Sequence, residues 1–381
     1  MEFDIVFEGG GAKGNAFVGA LEVLNERGHK HRRLIGTSAG SITATLLAAG
    51  YTPEEMRQVV TEKVEVVDAN GSKTVVPRFS LFLDTPVNFT QDTVKDSFLD
   101  PFLNIDIPYV PKTIERYLTN EVVEHLMKHP HLREFFSLIE LGGLYAGDNF
   151  LSWIKERLKQ KGFSDEITFK DYVQKTNCDL SIIVSNTTLS EMLVLNHRTA
   201  PDCPVAHAVR MSMSIPFLWQ EVIWQSDWGK YLDQDLTGNV LVDGGVISNF
   251  PIELLTSTSP EVIKIMGPVP CVPSIGLLLD EKLEVVGAEP LSDKGSSLDT
   301  PLKNSKPIKR VNRLINTMLS SHDNFSISAY EDLVCHLPVQ GYGTTEFDMT
   351  DQRLESLINS ARNAMTAYLD KLPKNISQSP V

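Results

Sequence analysis

Arg33-Leu34-Ile35-Gly36-Thr37-Ser38-Ala39-Gly40-Ser41-Ile42 is the stretch on which the reading of this chain turns. Arg33-Leu34-Ile35 reads as a short apolar strand, Gly36 to Gly40 as a G-x-S-x-G turn, and Ser38 to Ala49 as a helix that Gly50 ends. In such an elbow the glycines let a strand turn sharply into a helix. The serine hydroxyl then stands above the sheet, beside the unpaired N–H groups of the helix N-terminus. That arrangement suits a nucleophile for acyl transfer, and it comes after a single strand–helix unit.

Upstream lies that unit. Asp4-Ile5-Val6-Phe7 reads as a strand, Gly9-Gly10-Gly11-Ala12-Lys13-Gly14 as a turn, and Ala16 to Glu26 as a helix closed by Gly28. A glycine turn between strand and helix points backbone N–H groups at one spot, a cradle for a negative oxygen. The same six residues also match G-x-G-x-x-G, the dinucleotide-binding pattern, which expects an acidic residue roughly 20 positions on to hold a ribose. No Asp or Glu stands between Glu26 and Glu54, which argues against the nucleotide. Far downstream, Leu241-Val242-Asp243-Gly244-Gly245-Val246-Ile247-Ser248-Asn249-Phe250-Pro251 places an aspartate at the end of an apolar strand before two glycines. A carboxylate there can serve as general base to a serine from a neighbouring strand, or merely cap a turn.

With 381 residues, 42% of them hydrophobic, the chain can bury a large core. Its formal charge of −14 argues against a nucleic-acid partner held by phosphate neutralisation. Cys178, Cys203, Cys271 and Cys335 are widely spaced, so neither a metal site nor a disulfide framework is indicated, and no cofactor is called for. The N-terminus lacks a basic region followed by an apolar run, and no stretch reaches the roughly 18 apolar residues of a membrane span. The expected location is the cytoplasm, peripherally at membranes, or another cell if the chain is delivered as an effector.

Beyond Gly50, Thr52-Pro53-Glu54-Glu55 opens a helix expected to run to about Val67. Residues 68–147 lose the rhythm, broken by Pro77, Pro86, Pro101, Pro108 and Pro111 and rich in Phe79, Phe82, Phe89, Phe98, Phe102 and Tyr109. They read as an insertion, whose aromatic part at 78–111 suits the cover of an apolar cleft. Helices at 149–161 and 169–176 and strands at 180–185, 192–196 and 241–242 follow. Pro307 to Ser320 reads as a basic amphipathic helix, and Thr350 to Leu369 as a helix that packs.

The ordered motifs resemble those of the patatin-like phospholipases, bacterial type. The resemblance rests on Gly9 to Gly14, Gly36-Thr37-Ser38-Ala39-Gly40 and Asp243-Gly244-Gly245, with softer support from Gly143 to Asp148 and Met211 to Phe217. It covers about residues 3–280 and departs at Lys13, where many members have arginine. It implies a three-layer α/β/α core with a mostly parallel central sheet and a helical or irregular lid insertion. The catalytic domain would span 1–290, with the lid at about 68–147 and a C-terminal helical region at 291–381. It further implies a phospholipase A type acyl hydrolase with a Ser38–Asp243 dyad and an acyl-serine intermediate. The oxyanion hole would come from Gly9, Gly10, Gly11, Ala12, Lys13 and Gly14, and the tight turns from Gly36, Gly40, Gly244 and Gly245. Its partners would be a phospholipid or other lipid ester, a transient membrane surface, and a protein or small-molecule activator such as some bacterial members need. Two alternatives stay open: an acyltransferase or thioesterase using the same serine, and a catalytically silent regulatory module. A Ser-Asp-His triad completed by His322 or His336 ranks below the dyad, because several strands precede the elbow in the α/β-hydrolase order.

Overall fold

Apolar runs such as Ile5-Val6-Phe7 and Ile182-Ile183-Val184 have no polar face, the pattern of strands covered on both sides. The computed structural model, which describes residues 1–67, 71–87, 97, 128–269, 272–289, 313, 317 and 328–372, covers them in that way. The chain begins with β1 (Glu2–Phe7), α1 (Ala16–Glu26), β2 (Lys30–Thr37), α2 (Ala39–Ala48), α3 (Pro53–Thr61), β3 (Lys63–Val67) and β4 (Lys73–Pro77). It continues with α4 (Pro130–Glu140), β5 (Gly143–Tyr145), α5 (Asp148–Gln160), α6 (Phe169–Thr176), β6 (Asp179–Asn186), β7 (Glu191–Leu195), α7 (Val205–Ser212), β8 (Phe217–Trp219), β9 (Val222–Ile223) and β10 (Val240–Asp243). It closes with α8 (Glu253–Thr256), α9 (Pro260–Met266), β11 (Ser274–Glu284), β12 (Val334–Gln340) and α10 (Asp351–Lys371).

Among the described residues, eight strands form the main sheet. β12, β11, β1, β2 and β6 run parallel in that order, β7 and β10 pair antiparallel with β6, and β9 pairs antiparallel with β10. Alternate side chains feed two cores. Ile5, Phe7, Leu34, Ile182 and Val184 pack beneath α1, α2, α5 and α10, while Val6, Ile35 and Ile183 pack beneath α8 and α9. The result is the three-layer α/β/α arrangement with a mostly parallel sheet.

The helix opened by Thr52 has the expected capping box: Thr52 Oγ1 accepts the Glu55 N–H at 3.2 Å and Glu55 Oε2 accepts the Thr52 N–H at 2.8 Å. It stops at Thr61 rather than near Val67. The β-branched Val64, Val66 and Val67 instead form β3, which pairs with β4 as a hairpin. The segment from 291 onward, expected to be helical, also carries a strand, since β12 pairs with β11 over Val334 to Gln340. The run Val334-Cys335-His336-Leu337-Pro338-Val339-Gln340 alternates only in part and carries Pro338, a faint strand signal.

Candidate active site

β2 lies between β1 and β6, and its last residue is Thr37. Ser38 follows with φ 50° and ψ −120°, a conformation that costs an L-residue about 1–3 kcal/mol and persists only where its surroundings impose it. A Cβ at Gly36 would stand 2.3 Å from the Gly40 carbonyl oxygen, and one at Gly40 would stand 2.3 Å from that of Phe7. Both flanking positions therefore admit only glycine. Ser38 itself is 5% exposed and lines a cavity.

The register of β6 explains why Asp243 meets it. Along one edge of β6, β2 runs parallel as far as the pair Thr37–Ile183. On that same edge β10 runs antiparallel and ends at the pair Asp243–Val184, while β7 occupies the opposite edge. Two strands thus approach each other head on, and their C-terminal ends bring the serine turn and the aspartate together. Asp243 is wholly buried. Its Oδ1 accepts the Gly245 N–H at 2.8 Å, and Oδ2 has no hydrogen-bond partner among the described residues. Burial lifts its pKa from 3.8 to about 7, against the opposing pull of the Ser38 side chain and the Gly245 N–H. The Ser38 hydroxyl is thus a neighbour of the carboxyl but is not aligned on Oδ2, a looseness common before substrate tightens such a pair.

The glycine loop packs directly on the serine, since a Cβ at Gly9 would lie 3.1 Å from Ser38 Cβ. Backbone accounting narrows the cradle. The Gly9 N–H donates to Asn249 O, that of Ala12 to Thr344 O and that of Lys13 to Gly10 O. Gly10 and Gly11 keep their N–H groups without an acceptor among the described residues. Gly11 sits at φ +55°, and a Cβ there would be 2.1 Å from Thr344 O. The Lys13 side chain turns elsewhere and pairs with Glu281 at 2.5 Å. Gly244 packs so closely on Ile183 that a Cβ would lie 2.4 Å from its carbonyl oxygen, and Gly245 supplies the amide that holds Asp243.

Ser38 opens on a cavity of about 720 Å³, mouth included. Ala39, Ile42, Thr43 and Leu46, one face of α2, line it over a rise of about 10 Å. Met56, Val59, Phe150 and Trp153 line it as well. Phe79 and Phe82 of the aromatic insertion are also in its wall; Phe89, Phe98, Phe102 and Tyr109 lie outside the described residues.

The histidine alternatives fare differently. His336 lies on β12, three strands from β2 and so about 14 Å away. Its Nδ1 is bonded to Asp280 at 2.8 Å and its Nε2 to Glu331 at 3.0 Å. His322 and nearly all of Pro307 to Ser320 lie outside the described residues. The α10 helix presents Leu354, Leu357, Ile358, Ala361 and Met365 to the core, as their spacing suggested.

Several contacts at the site went unread in the sequence. Ser212 Oγ accepts the Ser38 N–H at 2.9 Å, and Ser214 O accepts the Asp243 N–H at 2.9 Å. The buried Arg210 guanidinium donates to Ser214 Oγ, to Ala146 O at 2.6 Å and to Gln220 O at 3.1 Å, fixing that turn. Asn249 Nδ2 donates to Gly9 O at 3.0 Å, joining the loop after Asp243 to the glycine loop. The only signal for Ser212, Ser214 and Asn249 was their membership of the quoted runs Met211 to Phe217 and Leu241 to Pro251, and Arg210, just before the first of these, had none. Among the described residues no group of three or more His, Cys, Asp or Glu could hold a metal ion, and no helix is long and apolar enough to cross a membrane.

Residues 5–256 match the family model described as patatin-like phospholipase. The chain is 30% identical over 377 residues to the uncharacterised Bacillus subtilis protein YqhO, covering 97% of this chain and 98% of that one. It is 25% identical over 250 residues to a probable lipid hydrolase, 463L, of Invertebrate iridescent virus 6, covering 66% of this chain and 62% of that one. Among solved structures, VipD from Legionella pneumophila matches at 16% identity and a TM-score of 0.47, over 97% of this chain and 66% of that one. The chain therefore spans less than two thirds of 463L and of VipD.

Proposed function

The chain belongs to the patatin-like phospholipase family, and from that premise we propose that it hydrolyses fatty-acyl esters of phospholipids or related glycerolipids through a Ser38–Asp243 dyad. One observation carries the reading: a serine held at positive φ beside a wholly buried aspartate, in the wall of an apolar cavity.

Ser38 Oγ attacks the acyl carbonyl carbon as Asp243 takes its proton. The N–H groups of Gly10 and Gly11 receive the developing oxyanion, as free donors beside the nucleophile would. Collapse of the tetrahedral adduct expels the alcohol, which leaves with the proton from Asp243, and water then cleaves acyl-Ser38 with Asp243 again as base. An aspartate with a pKa of about 7 is about half ionised at neutral pH, close to the optimum for a base that also returns its proton. The slot along α2 gives a straight acyl chain an apolar bed running away from the serine.

Treatment with a fluorophosphonate, followed by mass mapping of the adduct, tests the reading together with release of fatty acid from mixed phospholipid vesicles. An adduct on Ser38, lost in Ser38→Ala, is expected. A folded protein that neither forms the adduct nor releases fatty acid overturns the proposal.

A further inference from the structure

At the end of β2 two backbone groups lose their places in the ladder. β2 pairs with β6 up to Thr37 and Ile183, and Ser38 then turns off at positive φ, carrying its N–H away from the strand. The Ile183 carbonyl sits at the junction where β2 has left β6 and β10 has only just ended. Both groups are buried, where an unmade hydrogen bond is costly. The Ser212 hydroxyl, with no solvent exposure, answers both: it accepts the Ser38 N–H at 2.9 Å and donates to Ile183 O at 2.6 Å. Gly244 leaves room for this bridge beside the Ile183 carbonyl. Two residues on, Ser214 O accepts the Asp243 N–H at 2.9 Å.

We propose that Ser212 is a positioning residue: its hydroxyl replaces the missing ladder bonds between the splayed strands and so holds Ser38 in the strained turn that aims it at Asp243. The inference rests on the reading of Ser38 as nucleophile. A hydroxyl is suited to the task because it donates and accepts at once; alanine does neither, threonine keeps both capacities, and cysteine has weak versions of each. A strained residue relaxes when its restraints go, and a displacement of about 1 Å at a reacting group costs about a hundredfold in rate.

Ser212→Ala is therefore expected to lower both kcat and the rate of fluorophosphonate labelling of Ser38 about a hundredfold, with KM changed less than about threefold. Ser212→Thr should restore most of both rates. Ser181→Ala, which removes another buried sheet hydroxyl, should lower Tm yet leave kcat in place. A folded Ser212→Ala protein with wild-type labelling and kcat overturns the proposal, and so does a Ser212→Thr protein as slow as Ser212→Ala. Should Ser212→Ala fail to fold, hydrogen exchange at the Ser38 amide, read by serine-specific 15N labelling, decides. Slow exchange in the wild type and at least tenfold faster exchange in Ser212→Cys are expected, whereas equal rates in the two refute the bridge. Exchange needs no turnover, so it tests the bridge even in a wild-type protein that fluorophosphonate fails to label, the result that would sink the hydrolase reading.

Discussion

Asp243→Asn should abolish hydrolysis and at the same time make the protein more stable at alkaline pH. The wild-type carboxyl has an ordinary pKa of 3.8 in the unfolded chain and about 7 in the fold, raised chiefly by burial. Between those values the folded state keeps a proton that the unfolded state has released, so stability falls as pH rises through the window. Below about pH 4 both states are protonated and the group contributes nothing; above about pH 7 the full cost of a buried anion is present. At about 1.36 kcal/mol per pH unit that cost is about 4 kcal/mol, with no discount for screening because the side chain is wholly buried. Asparagine stays neutral, its Oδ1 can still accept the Gly245 N–H, and its amide adds a donor towards Ser38. The stability of the variant relative to wild type should therefore rise by up to about 4 kcal/mol between pH 4 and pH 8, as measured by urea unfolding of both proteins across that range. Asp4, lifted by burial to about 6, titrates in both proteins from the other end of the sheet and cancels in the difference. A difference that stays flat within about 1 kcal/mol refutes the raised pKa and with it the account of Asp243 as a base tuned to neutral pH.

Other outcomes follow from the same geometry. Wild-type kcat on a soluble ester should rise with pH through an apparent pKa near 7 and then level off, since the base must be ionised; a profile flat from pH 5 to 9 contradicts this. His336→Ala should retain hydrolysis, because both ring nitrogens are engaged by Asp280 and Glu331 far from Ser38; its loss in a folded variant would restore the triad. Gly40→Ala should lower stability by more than about 2 kcal/mol in thermal unfolding, as the added methyl meets the Phe7 carbonyl 2.3 Å away, and an unchanged Tm contradicts that packing. Met56→Trp should lower kcat/KM for long-chain relative to short-chain esters at least tenfold, by filling the cavity that α2 lines; an unchanged chain-length profile removes that cavity from the acyl path.

Local chemistry made much of the fold legible. Gly28 and Gly50 mark helix ends, Thr52-Pro53 a helix start, and apolar triplets the inner strands; each is decided within a few residues, and each stands where its sequence placed it. The hairpin β3–β4 was missed because Lys63 to Val67 continues the polar–apolar texture of the helix before it, and only a partner strand settles such a segment as β. β12 was missed for a similar reason, since a short strand carrying a proline depends on the ladder offered by β11. The serine turn, the glycine loop and the aspartate were all visible as motifs, but Ser212, Ser214, Arg210 and Asn249 were not. Buried serines and a lone arginine have no local signature when their partners lie far away in the chain.

Neighbouring residues were enough to define the parts: a strained serine turn that only Gly36 and Gly40 permit, a loop with amides to spare, and an aspartate closing an apolar strand. Steric exclusion and backbone hydrogen-bonding capacity act over a few residues, so they can be read along the chain. How the parts meet was left to the packing of distant segments. β2 and β10 share one edge of β6 from opposite directions, and that register sets Ser38 against Asp243 across 205 positions of chain. The fold also selects which amides remain free, because the carbonyls that engage Gly9 and Ala12 come from residues 249 and 344. The raised pKa of Asp243 belongs to the fold as well, since it depends on the water that packing excludes.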